Sequence, residues 1–247
     1  MILRRITEQV KTQNWVAVGI EFVIVVVGVF AGLQAQDWST ARADRIAERA
    51  AIERLIIEYK LNLELLGKDK EKSQITMAAT ERLLAMISPE PTAVIADKAL
   101  AQTFLDCLTN PKFIPTLGTT SSLVASGDLR LIRDPEIQRR LTQWPTTAQV
   151  LIEWQEIERL HGEELILGLT LDYIAWPTLL SLVNESNRTS ALESDYQGLF
   201  SSKRFEGLLN NRRFNTRVSI GRIEKLEVDT QELVDRLETR FSTLETT

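Results

Sequence analysis

Residues 16–33 read VAVGIEFVIVVVGVFAGL, an apolar run of eighteen residues in which Glu21 is the only charged residue. As an α-helix the run is roughly 27 Å long, close to the thickness of the hydrocarbon core of a bilayer. Trp15 and Trp38 flank it, where the interfacial aromatic belt of a membrane protein lies. The sequence therefore predicts a transmembrane helix over residues 15–37.

Two other structures are compatible with such a run. A cleaved signal peptide remains open, because Leu33-Gln34-Ala35 is an acceptable cleavage site. The run is longer than a typical signal sequence and its helical pattern continues beyond that site, so an uncleaved anchor is favoured. A buried core helix is disfavoured, because residues 22–27 are almost all aliphatic and the polar stripe is narrow.

One face of this predicted helix carries small and polar residues. Gly28 and Gly32 form a GxxxG pair, which lets two helix backbones approach closely in lipid. An ionised Glu21 without a partner costs at least about 2.5 kcal/mol in the bilayer. We therefore expect Glu21 to be protonated, paired or hydrogen-bonded across a helix interface, unless it reaches the nearby headgroups. At 100° per residue, the stripe comprises Asn14, Ala17, Glu21, Val25, Gly28, Gly32 and Ala35.

The segment before the anchor, residues 1–14, has apolar residues at helical spacing with charged residues between them. This pattern predicts a short amphipathic helix on the membrane surface. Basic residues near the two ends of the anchor are nearly balanced, so the positive-inside rule decides little. The short N-terminal tail favours an N-terminus inside and residues 38–247 outside.

The rest of the chain, residues 38–247, predicts an all-α antiparallel bundle, because no alternating strand pattern of useful length occurs. The transmembrane helix is expected to continue into this bundle. Asp134-Pro135-Glu136 is a strong helix start, which combines an N-cap, proline at the first position and an acidic residue. Pro145 is expected to interrupt that helix, which resumes to about Glu164. Predicted helices are 39–66, 72–87, 97–109, 121–126 and 205–244, and residues 110–120 form a loop. The longest two, after the anchor and at the C-terminus, are expected to pack antiparallel.

Residues 165–183, LILGLTLDYIAWPTLLSLV, are hydrophobic enough to approach a membrane segment. Asp172, Pro177 and the absence of basic flanks favour a buried core helix that is broken at Trp176-Pro177. A second membrane segment remains the alternative.

Composition excludes several classes of site. The chain has 247 residues, a net charge of −5, one cysteine and one histidine. A disulfide framework, a cysteine-rich zinc site and a two-histidine metal helix are therefore excluded within one chain. The negative charge argues against a nucleic-acid surface. Nucleotide, phosphate, protease and redox motifs are absent, so we expect no catalytic residue, metal or cofactor.

Isolated residues of chemical interest have ordinary structural interpretations. His161 is most simply a surface residue at a helix end. Cys107 is expected to be buried as a small apolar residue. The basic cluster of Arg130, Arg133, Arg139 and Arg140 could take an anionic ligand or a lipid headgroup, but nearby acidic residues are ready partners.

Two stretches resemble a widespread bacterial family of small, uncharacterised, membrane-anchored helical proteins. The first runs from Glu21 to Gln34 and is followed by Trp38; the second is Ser121–Ile132, SSLVASGDLRLI. The chain departs from the family pattern at Ala125-Ser126, before the glycine. The resemblance implies a membrane-anchored helical architecture in the bacterial inner membrane and no assigned activity. Together with the orientation favoured by the short N-terminal tail, it predicts a periplasmic bundle. It also implies that Glu21, Gly28, Gln34, Trp38 and Gly127 are family features.

The second stretch also has a physical interpretation. Gly127 is expected to end a short helix in the left-handed conformation, so that the following apolar residues return to the core. Alternatively, the free N–H groups at the start of this helix bind an anion or ligand. The candidate contacts are Thr119, Thr120, Ser121, Ser122 and Arg130.

The sequence therefore predicts a non-enzymatic single-pass membrane protein that assembles through its membrane helix with a second copy or with other membrane subunits. A membrane-anchored ligand-sensing bundle that signals to a separate partner is the alternative. An enzyme is disfavoured because no catalytic arrangement is visible.

Overall fold

The computed structural model describes residues 15–88, 94–184 and 188–245, and it describes side chains from residue 19 onward. Within those ranges the chain is helical or irregular, without a strand. The chain divides into two compact units, Met1–Ala50 and Ala51–Thr247. The predicted amphipathic segment 1–14 lies outside the described residues.

The first helix is longer than the sequence predicts. Helix α1 spans Trp15–Ala85 without a break, so the expected separation between residues 39–66 and 72–87 is wrong. The helix continues through Gly67, and the neighbouring residues Leu66, Asp69 and Ser73 are buried. Packing of this face offsets the helix-weakening effect of one glycine, which is about 1 kcal/mol.

The helices that follow α1 are mostly short, with two long exceptions. Their bounds are α2, Lys98–Leu108; α3, Gly118–Ser126; α4, Pro135–Arg159; α5, Leu167–Thr170; α6, Trp176–Asn184; α7, Tyr196–Phe200; and α8, Lys203–Glu245. A 3₁₀ turn follows α3 at Asp128–Leu131, and a π-helix joins α4 to α5 at Leu160–Ile166.

Three long segments form the bundle of the second unit. Side-chain contacts set their directions, because Tyr59 of α1 lies 5.3 Å from Trp144 of α4 between ring centroids, and Asp69 accepts from Gln155. Residue numbers therefore rise together along α1 and α4. Helix α8 runs the other way, since Lys60 pairs with Glu238 and Lys70 with Glu227. The all-α antiparallel bundle is thus confirmed.

Two apolar clusters fill the bundle. The first is built by α1, α4 and α8 near Leu55, Trp144 and Leu233. The second joins the end of α1 with α2, α5, α6 and the start of α8 near Phe104, Trp176 and Phe205. The predicted burial of Cys107 is confirmed, because the side chain belongs to the second cluster with no exposed surface.

Pro145 does not interrupt its helix, contrary to expectation. Helix α4 continues through it from Pro135 to Arg159. Trp144 and Ala148, on either side of the proline, are almost fully buried on the core face. Their packing offsets the roughly 3 kcal/mol that an interior proline costs. Asp134 caps the start of α4 by accepting from the N–H groups of Glu136 and Ile137.

Residues 165–183 belong to the second cluster, with a break that differs from the expected one. The helix is interrupted between Thr170 and Trp176, and Pro177 lies in the first turn of α6, where a missing N–H costs little. Ile166 and Leu179 are buried. Of the described helices, α1 alone is long and apolar enough to cross a membrane.

Candidate functional site

The side chains at the apolar start of α1 are exposed. Its most apolar eighteen-residue window has a mean hydropathy of 1.7, and none of it is buried. Glu21 is exposed, and a Cβ added at Gly28 or Gly32 meets no atom within 4 Å. Trp38 is 69% exposed. Asn14 lies outside the described residues, and the side chains of Trp15 and Ala17 do too; Ala35 is exposed like its neighbours.

The predicted anion site at the start of α3 is occupied by the chain itself. The Glu58 carboxylate accepts from the N–H groups of Thr119, at 2.5 Å, and Thr120, at 3.0 Å. It also accepts from the Thr120 hydroxyl at 2.6 Å. Ser121, Ser122 and Arg130 are exposed. The positive end of the helix therefore binds an internal carboxylate.

The loop before α3 is attached to α1 in the same way. The Asn62 amide donates to the carbonyl of Thr116 and accepts from its N–H, both at 2.8 Å. The Thr76 hydroxyl donates to the carbonyls of Asp106 and Thr109. Buried polar side chains of α1 thus hold a segment that has few backbone hydrogen bonds of its own. The sequence analysis missed this set, although the polar residues recur on one face of α1.

Two of the four arginines of the basic cluster, Arg139 and Arg140, are paired with carboxylates. Glu136 accepts from both Arg139 and Arg140, and Arg140 also pairs with Glu232 at 2.8 Å. The two guanidinium groups lower the pKa of Glu136 to about 2. Arg139 and Arg140 are thus engaged with carboxylates, as the sequence indicated, and neither is free for a ligand.

Gly127 has the backbone conformation that the sequence predicted. Its φ is 76° and it is the C-cap of α3. Ile132, five residues later, is fully buried in the first cluster. The glycine therefore allows the chain to reverse from α3 towards the core.

A polar layer that the sequence analysis missed lies between the two apolar clusters. We define it as the buried residues Asp69 and Ser73 of α1, Gln155 and Glu158 of α4, and Arg212, Thr216 and Ser219 of α8. These residues lie at the same height along the three helices. Gln155 of α4 donates to Asp69 of α1, and Arg212 of α8 donates to the Glu158 carbonyl of α4 at 2.6 Å. A layer of this kind interrupts the apolar core of the bundle.

Charge in the polar layer is incompletely compensated by hydrogen bonds. Within the described ranges, neither carboxylate oxygen of Glu158 has a hydrogen-bond partner, and the same holds for Nε of Arg212 and the hydroxyls of Thr216 and Ser219. Burial lowers the pKa of Arg212, and the Glu158 charge opposes that effect. Burial also raises the pKa of Asp69 to about 6. The charges of Arg212 and Glu158 stabilise each other in this low-dielectric environment.

The π-helix lies beside this layer. Arg212 Nη2 donates to the carbonyl of Thr109 and to Asn110 Oδ1, at 2.6 and 3.1 Å. A Cβ at Gly162, within the π-helix, would lie 2.8 Å from Asn110 Oδ1 and 3.4 Å from Arg212 Nη1. Glycine therefore permits this close approach. π-Helical turns often occur at functional sites.

His161 lies in the π-helix and is half-buried, not at a free helix end. Its Nε2 is 3.0 Å from the Asn211 amide, and its Nδ1 is 2.9 Å from the Asn215 amide and 3.1 Å from the Ile157 carbonyl. The ring thus joins the π-helix to α8. Across the described ranges, no three His, Cys, Asp or Glu side chains group as metal ligands.

An open groove of about 470 Å³ reaches the polar layer from outside. It lies between the loop at Asn110–Lys112 and helix α4, with Glu156 and Arg159 on its wall. Gln155 lines the groove and also donates to Asp69 inside. The same amide accepts from the N–H of Phe113 at 2.8 Å. A change at the groove can therefore reach the layer through one side chain.

No protein-family model, curated protein or solved structure matches this chain. The resemblance to a family of membrane-anchored bacterial proteins thus remains a prediction from the two stretches that carry it.

Proposed function

We propose that the chain is a non-enzymatic, single-pass membrane protein that acts as a scaffold or accessory subunit of a membrane assembly. The observation that carries this proposal is the start of α1, an apolar helix whose most apolar window is not buried by any part of the chain that the structure describes. Phe22, Ile24 and Phe30 are each more than 60% exposed. Such a surface is unfavourable in water and favourable in a bilayer.

The small-residue face of this helix is the proposed contact with another membrane helix. Gly28 and Gly32 leave space for a second backbone, and Glu21 needs a partner when it lies in lipid. The occupant is a second copy or a helix of another subunit. The proposed location is the bacterial inner membrane, with the bundle on the periplasmic side.

Purification from native membranes in a mild detergent tests the proposal. Mass photometry gives the mass of the particle, and mass spectrometry identifies chains that co-purify. A defined multiple of 28.0 kDa supports self-association, whereas a stoichiometric set of other proteins supports an accessory subunit. A monomer without partners contradicts the proposal, as does turnover of a substrate.

Matched variants of the anchor separate its two faces. Gly28→Leu with Gly32→Leu, or Glu21→Leu alone, is expected to change the particle mass or the partner set. Gly19→Leu is the control, because residue 19 lies about 160° from Glu21 around the helix. Equal behaviour of all variants would exclude this face as the contact.

A ligand-sensing bundle is the second candidate, and the polar layer favours it. Buried groups without hydrogen-bond partners, a π-helix and an adjoining groove are features of sites that change state. A small molecule that raises the melting temperature in a saturable manner would favour sensing. The effect should disappear in Gln155→Leu, which removes the amide that joins the groove to Asp69.

A further inference from the structure

An exposed apolar surface follows the outer seam between α4 and α8. We define the seam surface as the exposed residues Val150 and Ile157 of α4, Leu160 of the π-helix and Phe214 of α8, together with the half-buried Val218 of α8. Phe214 is 61% exposed and Ile157 is 40% exposed. These side chains lie apart from the polar layer, on the other side of their helices.

The two helices are held in register along this seam. Trp154 Nε1 donates to the carbonyl of Asn215 at 3.1 Å, and the Arg222 guanidinium lies 4.9 Å from the centre of the Trp154 ring. Because α4 and α8 run antiparallel, this pairing places Ile157 level with Phe214, and Glu153 level with Arg217 and Val218.

Opposite charges border the seam surface. Arg217 and Lys225 are exposed on the α8 side, and neither forms an ion pair with any residue that the structure describes. Glu153 and Glu164 are exposed on the other side, and the Glu153 carboxylate accepts a hydrogen bond from Gln149. Acidic residues outnumber basic ones in this chain, which has a net charge of −5. Exposed basic side chains without an acidic partner among the described residues are therefore unexpected.

We propose that the seam surface is an interface with a second copy of this chain, related by a two-fold axis parallel to α4 and α8. That axis places α4 of one copy on α8 of its partner at the same level. The acidic border of each copy then meets the basic border of the other, and Ile157 meets the partner's Phe214. A two-fold axis across the helices would instead bring like charges together, which is unfavourable.

Other occupants fit the charges less well. An anionic bilayer or a nucleic acid presents negative charge over the whole surface, so it would be repelled by Glu153 and Glu164. A self-complementary patch needs no second protein of matching pattern. This interface involves the bundle surface alone, so it does not depend on the contact proposed for the membrane helix.

Mixed disulfide cross-linking tests the arrangement. Two differently tagged full-length chains, Ile157→Cys and Phe214→Cys, are co-expressed, and the native membranes are oxidised. We expect a mixed disulfide that contains both tags. The native Cys107 is buried and does not interfere. The control pair is Ile57→Cys with Phe214→Cys, because Ile57 is 64% exposed on α1.

Absence of the mixed disulfide, or an equal yield from the control pair, would overturn the proposal. A disulfide between Phe214→Cys and a different protein in place of the second copy would also overturn it.

Charge reversal provides an independent measurement. Arg217→Glu is expected to weaken dimerisation of the purified full-length chain roughly tenfold, because it opposes the partner's Glu153. Adding Glu153→Arg should restore the dissociation constant, while the circular dichroism spectrum stays unchanged throughout. An unchanged constant in the single variant, or no recovery in the double variant, contradicts the proposed pairing.

Discussion

Asp69 shows how one residue makes the stability of the bundle depend on pH. Its pKa is raised by burial to about 6, above its ordinary value of 3.8. Because the folded-state value is the higher one, ionised Asp69 destabilises the fold. The free energy of unfolding should therefore increase by about 2 kcal/mol as the pH falls from 7.5 to 4.5, and by about 3 kcal/mol once the pH is below 3.8.

Asp69→Asn is expected to remove most of this pH dependence and to stabilise the protein at pH 7. Urea unfolding of the full-length chain in detergent, followed between pH 4.5 and 7.5, measures the effect. Asp172→Asn is the control, since Asp172 is exposed, and its slope should equal that of the wild type. A wild-type slope in Asp69→Asn would contradict this account.

Glu58 is a second residue whose environment gives a definite expectation. Its carboxylate binds two backbone N–H groups and one hydroxyl at the start of α3. Glu58→Ala leaves the two N–H groups without this acceptor, while the Thr120 hydroxyl keeps its hydrogen bond with Tyr59, so we expect a loss of about 2 kcal/mol in unfolding free energy.

The matched control is Glu53→Ala, an exposed glutamate on the same helix. Ser121→Ala and Ser122→Ala are expected to be nearly neutral, because both side chains are exposed. Equal losses in Glu58→Ala and Glu53→Ala would mean that the carboxylate does not cap α3.

At the scale of the element, the π-helix is the feature with the clearest requirement. Gly162→Ala places a methyl group 2.8 Å from Asn110 Oδ1, so the amide must move away from Arg212. We expect a loss of about 1–2 kcal/mol in unfolding free energy, together with faster hydrogen exchange around Asn110.

Gly168→Ala is the control for this prediction. Gly168 follows in α5, and a Cβ there meets no atom within 4 Å. Alanine should be neutral or stabilising by up to about 1 kcal/mol, because it favours the helix. A similar gain in Gly162→Ala would show that the close approach of Asn110 is unimportant.

At the scale of the whole molecule, the division into two units predicts that the bundle folds without the anchor. A fragment of residues 39–247 keeps both apolar clusters and omits the exposed apolar start of α1. We expect it to remain in solution without detergent and to unfold cooperatively, whereas the full chain requires detergent. Circular dichroism and sedimentation of the fragment provide the measurement; aggregation or gradual unfolding would contradict the prediction.

Local sequence signals determined much of the helical framework. The Asp134-Pro135-Glu136 cap, the long C-terminal helix and the left-handed Gly127 follow from spacing and backbone preferences that act over a few residues. Pro145 and Gly67 led to wrong predictions, because packing with distant residues outweighed their local tendency to end a helix. Their local cost is real, but buried neighbours such as Trp144 and Leu66 offset it, and burial is set by distant parts of the chain.

The sequence by itself determined the apolar helix, the all-α class and the absence of recognisable catalytic motifs, because composition and periodicity are properties of neighbouring residues. Only the tertiary structure decided where the polar side chains go. It placed Glu58 at the start of α3 and gathered Asp69, Glu158 and Arg212 into one layer. These outcomes depend on the register between antiparallel helices, since residues more than sixty positions apart meet only when that register is fixed.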